Sequence, residues 1–264
     1  MQRRSAVTGI DTPVPKPALT HPLEPSLMLD AVSVRRGQSL TLDEVSLTLA
    51  AGRTLAVVGE SGAGKSTLIA AVLGLVKLAH GSVTWGGGPV RDCRPALVLQ
   101  EPRAAFNPAL SLRRSVMEPL VASGKTLPAE RLNQLCRRLE LSPGLLDRRP
   151  AQVSIGQAQR IGILRALIAS PPLILFDEPL SALDAVTQKH TAQLMAELQA
   201  EHGFAALIVT HDLGYAAAYG DDIAVLRAGR IEEITTAADF VAAPSTDCGR
   251  TLRDAAIALG ALTP

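Results

Sequence analysis

The segment Gly59–Thr67 constrains this chain more than any other, because its residues G-E-S-G-A-G-K-S-T stand between two apolar runs. Thr54–Val58 has the length and composition of a short buried strand, and Leu68–Val76 repeats its apolar residues at helical spacing. A strand, a glycine-rich turn and a helix in this order point successive backbone N–H groups and a helix N-terminus at one place. The segment therefore predicts a phosphate-binding loop of the G-x-x-x-x-G-K-[ST] type.

All residues of this phosphate loop are candidates for nucleotide binding: Gly59, Glu60, Ser61, Gly62, Ala63, Gly64, Lys65, Ser66 and Thr67. Lys65 is predicted to reach the β- and γ-phosphates, and the Ser66 hydroxyl to bind Mg²⁺. A chance glycine-rich turn is the alternative, but the flanking strand and helix and the Lys-Ser-Thr ending argue against it. We therefore expect an ATPase that uses ATP and Mg²⁺.

A second apolar strand, Leu173–Phe176, ends in the acids Asp177 and Glu178. The carboxyl end of a buried parallel strand lies at the ligand edge of its sheet. We expect Asp177 to hold Mg²⁺, and Glu178 to orient or deprotonate an attacking water. An acid after a strand is often only a helix N-cap, but the phosphate loop elsewhere in the chain favours the catalytic interpretation.

Two further polar residues follow predicted strands. His211 comes after Ala205–Val209 and is a candidate to bind the γ-phosphate and the water-polarising acid. A single histidine is more often an ordinary residue, but the preceding strand and its polar neighbours reverse that preference here. Gln100 ends Ala96–Leu99, and its amide is a candidate to contact both Mg²⁺ and the water.

The order of elements predicts an α/β fold: a P-loop NTPase core with a parallel sheet covered by helices, an N-terminal antiparallel β part and an inserted helical subdomain. We expect a disordered, proline-rich extension at 1–26, or an artefact of the sequence there. The ATPase domain is predicted at 27–236, with the helical subdomain at about 103–170, and a helical tail at 237–264.

Composition excludes several classes of protein. A net charge of +1 and 3% aromatic residues give no sign of a nucleic-acid surface. The three cysteines are widely spaced, which is typical of reduced thiols rather than of a disulfide framework. The longest uncharged apolar stretch, Leu68–Val76, is far shorter than the roughly 20 residues that span a bilayer. We therefore expect a soluble protein that reaches a membrane only by docking onto other subunits.

Together these motifs resemble the ATP-binding subunits of ABC transporters over about residues 27–264. The resemblance rests on the phosphate loop, Gln100, the signature segment Val153–Gln157 followed by Arg160, Phe176–Pro179, Ser181–Asp184 and His211, in the family's order. It implies that two such subunits pair head to tail and enclose ATP between the phosphate loop of one and the signature of the other. It also implies that Ser154, Gly156 and Gln157 face the partner's γ-phosphate, and that Asp184 links the two sites.

Within that family the chain is similar to the oligopeptide, dipeptide and nickel importers, through Gln100–Pro108 and Leu146–Pro150. The tail Ser245–Ala255 is most similar to the second ATPase of nickel importers, which favours nickel or a nickel chelate as cargo. A peptide cargo is the alternative. The resemblance implies a second ATPase subunit that is a paralogue, two transmembrane permeases, an extracytoplasmic substrate-binding protein and a peripheral position on the cytoplasmic face of the membrane. A non-transport role on DNA or ribosomes is disfavoured.

Two positions depart from the family. Ile155 replaces the first signature glycine, so either one composite site is impaired or Ile155 points away from ATP. A mainly regulatory subunit is the corresponding alternative function. Arg35 and Arg36 stand where the family places an aromatic residue against adenine, and Arg36 is the candidate to stack on the base. Two solvated charges on a strand edge are the alternative.

Overall fold

A computed structural model of the chain describes residues 25–262. Within this range the strands are β1 (Pro25–Arg36), β2 (Ser39–Ala50), β3 (Thr54–Val58), β4 (His80–Trp85), β5 (Gly88–Pro89), β6 (Ala96–Val98), β7 (Leu173–Asp177), β8 (Ala205–Thr210), β9 (Asp222–Arg227) and β10 (Arg230–Thr236). The helices are α1 (Lys65–Val72), α2 (Leu112–Ala122), α3 (Ala129–Arg138), α4 (Ile155–Leu167), α5 (Ala185–His202), α6 (Leu213–Tyr219), α7 (Ala237–Ala242) and α8 (Asp247–Ala258). The predicted extension at 1–26 lies outside the described residues except for positions 25 and 26, which begin β1.

The central sheet has six strands in the order β10-β9-β3-β8-β7-β6. Strands β9, β3, β8, β7 and β6 run parallel to one another, and β10 pairs antiparallel with β9. Every residue of β3 and β8 is buried, as expected for strands covered on both faces. The predicted α/β core with a parallel sheet covered by helices is therefore confirmed.

A second sheet, with the order β2-β1-β4-β5, is entirely antiparallel. In β2 the buried side chains Val45, Leu47 and Leu49 alternate with exposed ones. These buried side chains share a core with β3 and with Leu68 of α1. The N-terminal antiparallel part that the alternation predicts is present, and it covers the helix that follows the phosphate loop.

Helices α2, α3 and α4 occupy the segment predicted as a helical insertion. Their apolar side chains, such as Val116 and Leu164, belong to one core with Phe176 of β7 and Leu198 of α5. The alternate residues of β7, such as Leu175, belong instead to the core under the antiparallel sheet. The inserted helices therefore pack on one face of the central sheet, and the antiparallel sheet packs on the other.

The two C-terminal helices, α7 and α8, also pack on the central sheet. Phe240 of α7 and Ala256 of α8 form a core with Val58 of β3, Val225 of β9 and Leu213 of α6. This packing places the tail beside the strand that leads into the phosphate loop.

The helix after the phosphate loop is shorter than the apolar spacing over Leu68–Val76 predicts. It ends at Val72, because Gly74 adopts φ 68° and donates to the Ala71 carbonyl at 3.1 Å. The N–H of Leu75 donates to the Ala70 carbonyl at 2.8 Å, which completes a Schellman termination. Within residues 25–262, no helix combines the length and apolar character that crossing a bilayer requires.

Candidate nucleotide-binding site

Predicted site residues follow four neighbouring strands of the parallel sheet. Gly59 follows β3, His211 follows β8, Glu178 follows β7, and Gln100 stands two residues beyond β6. The last residues of β3 and β8 lie opposite each other, and Asp177 lies opposite the residue before the end of β8. The register therefore brings all of these residues to one edge of the sheet, where parallel α/β folds bind ligands.

The phosphate loop holds its lysine inside the turn. The Nζ atom of Lys65 donates to the carbonyl oxygens of Gly59 at 2.7 Å and Glu60 at 3.0 Å, and only 7% of the residue is exposed. Gly64 precedes the helix with φ 112°, and a β-carbon there would lie 2.8 Å from the Thr41 carbonyl oxygen. Only glycine fits this position, and α1 consequently begins with its N-terminus directed at the loop.

Some residues of the phosphate loop are exposed and others are buried. The exposed ones are Glu60, Ser61, Gly62 and Ser66, and the buried ones are Gly59, Ala63, Lys65 and Thr67. The Ala63 carbonyl accepts a hydrogen bond of 2.9 Å from the N–H of Gly229, in the turn between β9 and β10. The turn between β9 and β10 thus fixes the loop, while the exposed residues of the loop remain accessible to a ligand.

Asp177 and Ser66 lie near each other at the loop, where the Ser66 hydroxyl acts to lower the pKa of the Asp177 carboxyl. Burial, together with the charge of Glu178, raises the pKa of Asp177 above its usual range, while Lys65 and Ser66 oppose the shift. A hydroxyl beside a partly desolvated carboxylate is an oxygen donor set that suits Mg²⁺, which would restore the charged form. The residues present therefore fit the predicted metal.

Glu178 lies between an imidazole and an ammonium group. Its Oε2 atom is 2.5 Å from Nδ1 of His211, and its Oε1 atom is 3.7 Å from Nζ of Lys65. Only 14% of the Glu178 side chain is exposed, whereas 63% of the His211 side chain is. The backbone of Glu178 adopts φ 46°, and its N–H donates to the Val209 carbonyl of β8 at 2.9 Å. A carboxylate whose backbone is strained and whose side chain is held by several contacts is typical of a functional site.

Two predicted residues stand at the periphery of this edge. Gln100 is exposed beyond the short edge strand β6. Arg36 is the exposed last residue of β1, opposite Ser39 in the register with β2. Their roles toward Mg²⁺ and adenine stay predictions.

The signature segment forms a separate cluster with the start of α5. Ser154 caps α4: its hydroxyl accepts from the N–H of Gln157 at 3.1 Å, and its own N–H donates to Gln157 Oε1 at 3.0 Å. This reciprocal capping box fixes the helix start. Ile155 is 43% exposed, whereas a β-carbon on Gly156 would lie 3.1 Å from the methyl group of Thr187. The signature helix and the loop at Asp184 are therefore in direct contact.

Thr187 belongs to this cluster, although the sequence motifs did not single it out. Its hydroxyl donates to Asp184 Oδ2 at 2.7 Å, and its N–H donates to Asp184 Oδ1 at 3.1 Å. These bonds lower the pKa of Asp184 and hold it as the N-cap of α5. The spacing Asp-x-x-Thr before an amphipathic run is a capping signal that could have revealed this link.

The chain is similar in sequence to ATP-binding proteins of transporters. The sequence pattern of the family described as ABC transporter matches residues 42–181. The oligopeptide transport ATP-binding protein OppF of Escherichia coli (strain K12) is 37% identical over 209 residues, which cover 74% of this chain and 63% of OppF. The nickel import ATP-binding protein NikE of Shigella sonnei (strain Ss046) is 35% identical over 229 residues, which cover 82% of this chain and 85% of NikE.

A solved structure shows the same likeness in three dimensions. It is the dimeric, post-hydrolysis state of the ATP-binding cassette MJ0796 bound to ADP and Pi, which superposes with a TM-score of 0.70 at 28% sequence identity. The superposition covers 80% of this chain and 98% of that one. The chain therefore belongs to the ABC transporter ATP-binding family, whose members bind ATP and hydrolyse it to drive transport.

Proposed function

We propose that this chain is the ATP-hydrolysing motor subunit of an ABC importer. The observation that carries the proposal is the meeting of Lys65, Glu178 and His211 within hydrogen-bond or ion-pair distance at one sheet edge. A chain retained only to bind nucleotide has no need for a water-polarising acid held by an imidazole. The assembled transporter should therefore hydrolyse ATP at this chain's own phosphate loop.

The proposed chemistry divides among the side chains at the edge. Backbone N–H groups of the phosphate loop and Lys65 hold the β- and γ-phosphates by charge-assisted hydrogen bonds. Glu178 accepts a proton from, or orients, the attacking water, and His211 fixes that carboxylate and the γ-phosphate. Ser66, Asp177 and Gln100 would hold Mg²⁺, which would neutralise part of the phosphate charge.

Complete sites are proposed to need a second ATPase subunit. The MJ0796 cassette, to which this chain is similar, is dimeric with ADP and Pi bound. Under this proposal Ser154, Gly156 and Gln157 present a helix N-terminus to the partner's nucleotide, which favours an anion. Their contact with the loop at Asp184, through Thr187, would join the two composite sites mechanically.

The remaining partners are proposed from the relatives. Two permease subunits would receive the motion, an extracytoplasmic binding protein would deliver the cargo, and this chain would lie peripherally on the cytoplasmic face of the membrane. The second ATPase is proposed to be a paralogue of this chain. OppF, named an oligopeptide transport ATP-binding protein, and NikE, named a nickel import ATP-binding protein, support this arrangement.

Nickel or a nickel chelate is the proposed cargo, on the similarity of the tail Ser245–Ala255 to the second ATPase of nickel importers. A di- or oligopeptide is the second candidate, because OppF relatives match at 37% identity and NikE relatives at 35%. Uptake of ⁶³Ni in cells that lack the chain separates the two. Loss of ⁶³Ni uptake that the wild-type gene restores, but a Lys65→Ala copy does not, supports nickel as the cargo. Normal ⁶³Ni uptake would exclude nickel and favour a peptide cargo, which peptide uptake assays would then test.

A mainly regulatory subunit is the competing role, and Ile155 is the observation that favours it. ATP hydrolysis by the complex assembled with Glu178→Gln in this chain alone tests the motor role. A fall in the hydrolysis rate that matches loss of one active site supports the motor. An unchanged rate would assign all hydrolysis to the partner subunit.

A further inference from the structure

The C-terminal tail, residues 237–262, touches the helix that follows His211 at one close contact. Gly214 lies in the first turn of α6, three residues after His211. A β-carbon at Gly214 would lie 2.6 Å from the carbonyl oxygen of Ala261 and 3.3 Å from Oδ1 of Asp212. The backbone of Ala261 therefore rests directly on the backbone of α6, and any larger residue at position 214 would force them apart.

The first turn of α6 is in turn bonded to the residues on both sides of His211. The Asp212 N–H donates to Thr210 Oγ1 at 3.0 Å, and Asp212 Oδ1 accepts from the Tyr215 N–H at 2.9 Å. The N–H of Ala216 donates to the Asp212 carbonyl at 3.0 Å. A displacement of α6 would consequently be transmitted to His211, because the residue on each of its sides is held in this network.

The other end of the tail is anchored by a buried acid on β10. Glu233 is 7% exposed, and its Oε2 atom accepts hydrogen bonds from the N–H groups of Ser245 at 2.8 Å and Thr246 at 2.9 Å, and from the Ser245 hydroxyl. A side chain on Gly249 would run into this carboxylate. Glu233 thus fixes the start of α8, as a carboxylate at a helix N-terminus is expected to do.

Between these two points α8 acts as a rigid spacer of about 18 Å for its 12 residues. Beyond its end, the N–H of Ala261 donates to the Ala256 carbonyl at 2.8 Å, which fixes Ala261 to the helix. Ala256 and Leu262 are buried against Leu213 and Ala216 of α6. The tail therefore spans from the outer edge strand β10 to the helix of the catalytic histidine.

We propose that the tail is a strap that positions His211 against Glu178, with Gly214, Ala261 and Glu233 as positioning residues. The expected change in hydrolysis rate rests on the proposed function, whereas the effect of the tail on the position of His211 can be measured without it. A shift of the Ala261 end of the tail would lengthen the bond between His211 and Glu178, while Lys65 keeps its hydrogen bonds to Gly59 and Glu60 in the phosphate loop. The strap therefore governs the catalytic step rather than nucleotide binding.

Gly214→Ala in the full chain tests the strap directly. We expect kcat for ATP hydrolysis by the assembled complex to fall roughly 10- to 100-fold, with KM for ATP nearly unchanged, because the catalytic pair is misplaced by a fraction of an ångström. Gly162→Ala is the matched control: Gly162 is also a helix glycine, on α4, but open space surrounds its position. That control should keep both kcat and KM.

A second test removes residues 260–264, because this deletes the Ala261 carbonyl that a side chain at position 214 would meet. In the shortened chain kcat should already be low, and adding Gly214→Ala should lower it little further. Independent effects that multiply in the combined variant would contradict the strap. Glu233→Gln, which weakens the anchor at the start of α8, should also lower kcat with KM unchanged. This variant tests the strap if Gly214→Ala does not fold.

A spectroscopic readout separates failure of the strap from failure of the proposed function. The ring ¹⁵N resonances of His211, assigned by their loss in His211→Asn, report its hydrogen bond to Glu178. Gly214→Ala should shift them, and Gly162→Ala should not. Unchanged His211 resonances in a folded Gly214→Ala protein would overturn the strap, whether or not the complex hydrolyses ATP. If the resonances shift but the wild-type complex hydrolyses no ATP, only the proposed motor function would be overturned.

Discussion

The Nδ1 atom of His211 lies 2.5 Å from Oε2 of Glu178, and the two residues directly follow the neighbouring strands β8 and β7. The same carboxylate has its other oxygen 3.7 Å from the ammonium of Lys65. The imidazole and the ammonium therefore hold the carboxylate from both sides, next to the loop that is expected to bind phosphate. This arrangement connects the phosphate-binding group to the group that acts on water.

Glu178→Gln should lower the rate of ATP hydrolysis at this chain's site by about 10²- to 10⁴-fold, because an amide cannot act as a general base. ATP affinity should change only a few-fold, since Lys65 and the loop N–H groups are intact. Single-turnover hydrolysis and equilibrium ATP binding measure the two quantities. Glu130→Gln, at an exposed ion pair with Arg137, is the control. Equal single-turnover rates in the Glu178 variant and the wild type would contradict the assignment of Glu178.

Asp177→Asn should stabilise the metal-free fold at neutral pH while abolishing Mg²⁺-dependent hydrolysis. Burial and the charge of Glu178 raise the pKa of Asp177 in the folded state. Between the unfolded and the folded pKa the folded chain binds more protons, so stability is lost as pH rises through that interval. The Asn variant lacks this loss.

The measurement is Tm as a function of pH, from roughly pH 4 to pH 8, in the presence of a chelator. The Tm of Asp177→Asn should rise relative to the wild type as pH increases. Asp30→Asn, at an exposed position of β1, is the control for replacing an aspartate by asparagine. A difference in Tm that is constant across this range would contradict the raised pKa.

Arg36→Ala should weaken ATP binding about 3- to 10-fold if its guanidinium stacks on adenine, since such a contact contributes on the order of 1 kcal/mol. Arg35→Ala is a matched control, because successive residues of a strand point to opposite faces. Equilibrium binding of ATP and of free triphosphate, which lacks the base, distinguishes stacking from simple charge attraction. Equal loss for both ligands would favour two solvated charges.

Ile155→Gly should raise ATP turnover of the assembled complex several-fold. Ile155 is 43% exposed at the start of α4, while Gly156 is packed against Thr187, so under the proposed pairing the partner's nucleotide would meet the Ile155 side chain. Steady-state turnover of the complex is the measurement. Val186→Gly, which removes another exposed β-branched residue near the same surface, is the control. Unchanged turnover in Ile155→Gly would remove the idea that this site is impaired.

Local patterns predicted the main elements of the fold because strand and helix periodicities are visible over short windows. The strand Thr54–Val58 has the bounds that its apolar pattern indicates. The helix after the phosphate loop was predicted too long, because the left-handed turn at Gly74 overrides the apolar spacing. That signal was present in the sequence as a glycine within an otherwise helical run.

The candidate site was less accessible to sequence reasoning than the fold. The sequence made His211 a candidate partner of Glu178, but the distance between them depends on the register of β7 and β8, which no local pattern specifies. The contact between Gly214 and Ala261 joins residues far apart in the sequence, and nothing in the spacing of either residue predicts it. Long-range backbone packing of this kind becomes visible only once the chain is folded.

The most direct test of this account is the equilibrium affinity of the purified full-length chain for MgATP, compared between wild type and Lys65→Ala. Lys65 should contribute a charge-assisted contact of about 1.5–3 kcal/mol, so its loss should weaken binding roughly 10- to 150-fold. Lys125→Ala, an exposed lysine beyond α2, should bind like the wild type. Tight wild-type binding with the expected loss in Lys65→Ala is the predicted result, and equal affinity in the two proteins, or none in either, would contradict the account.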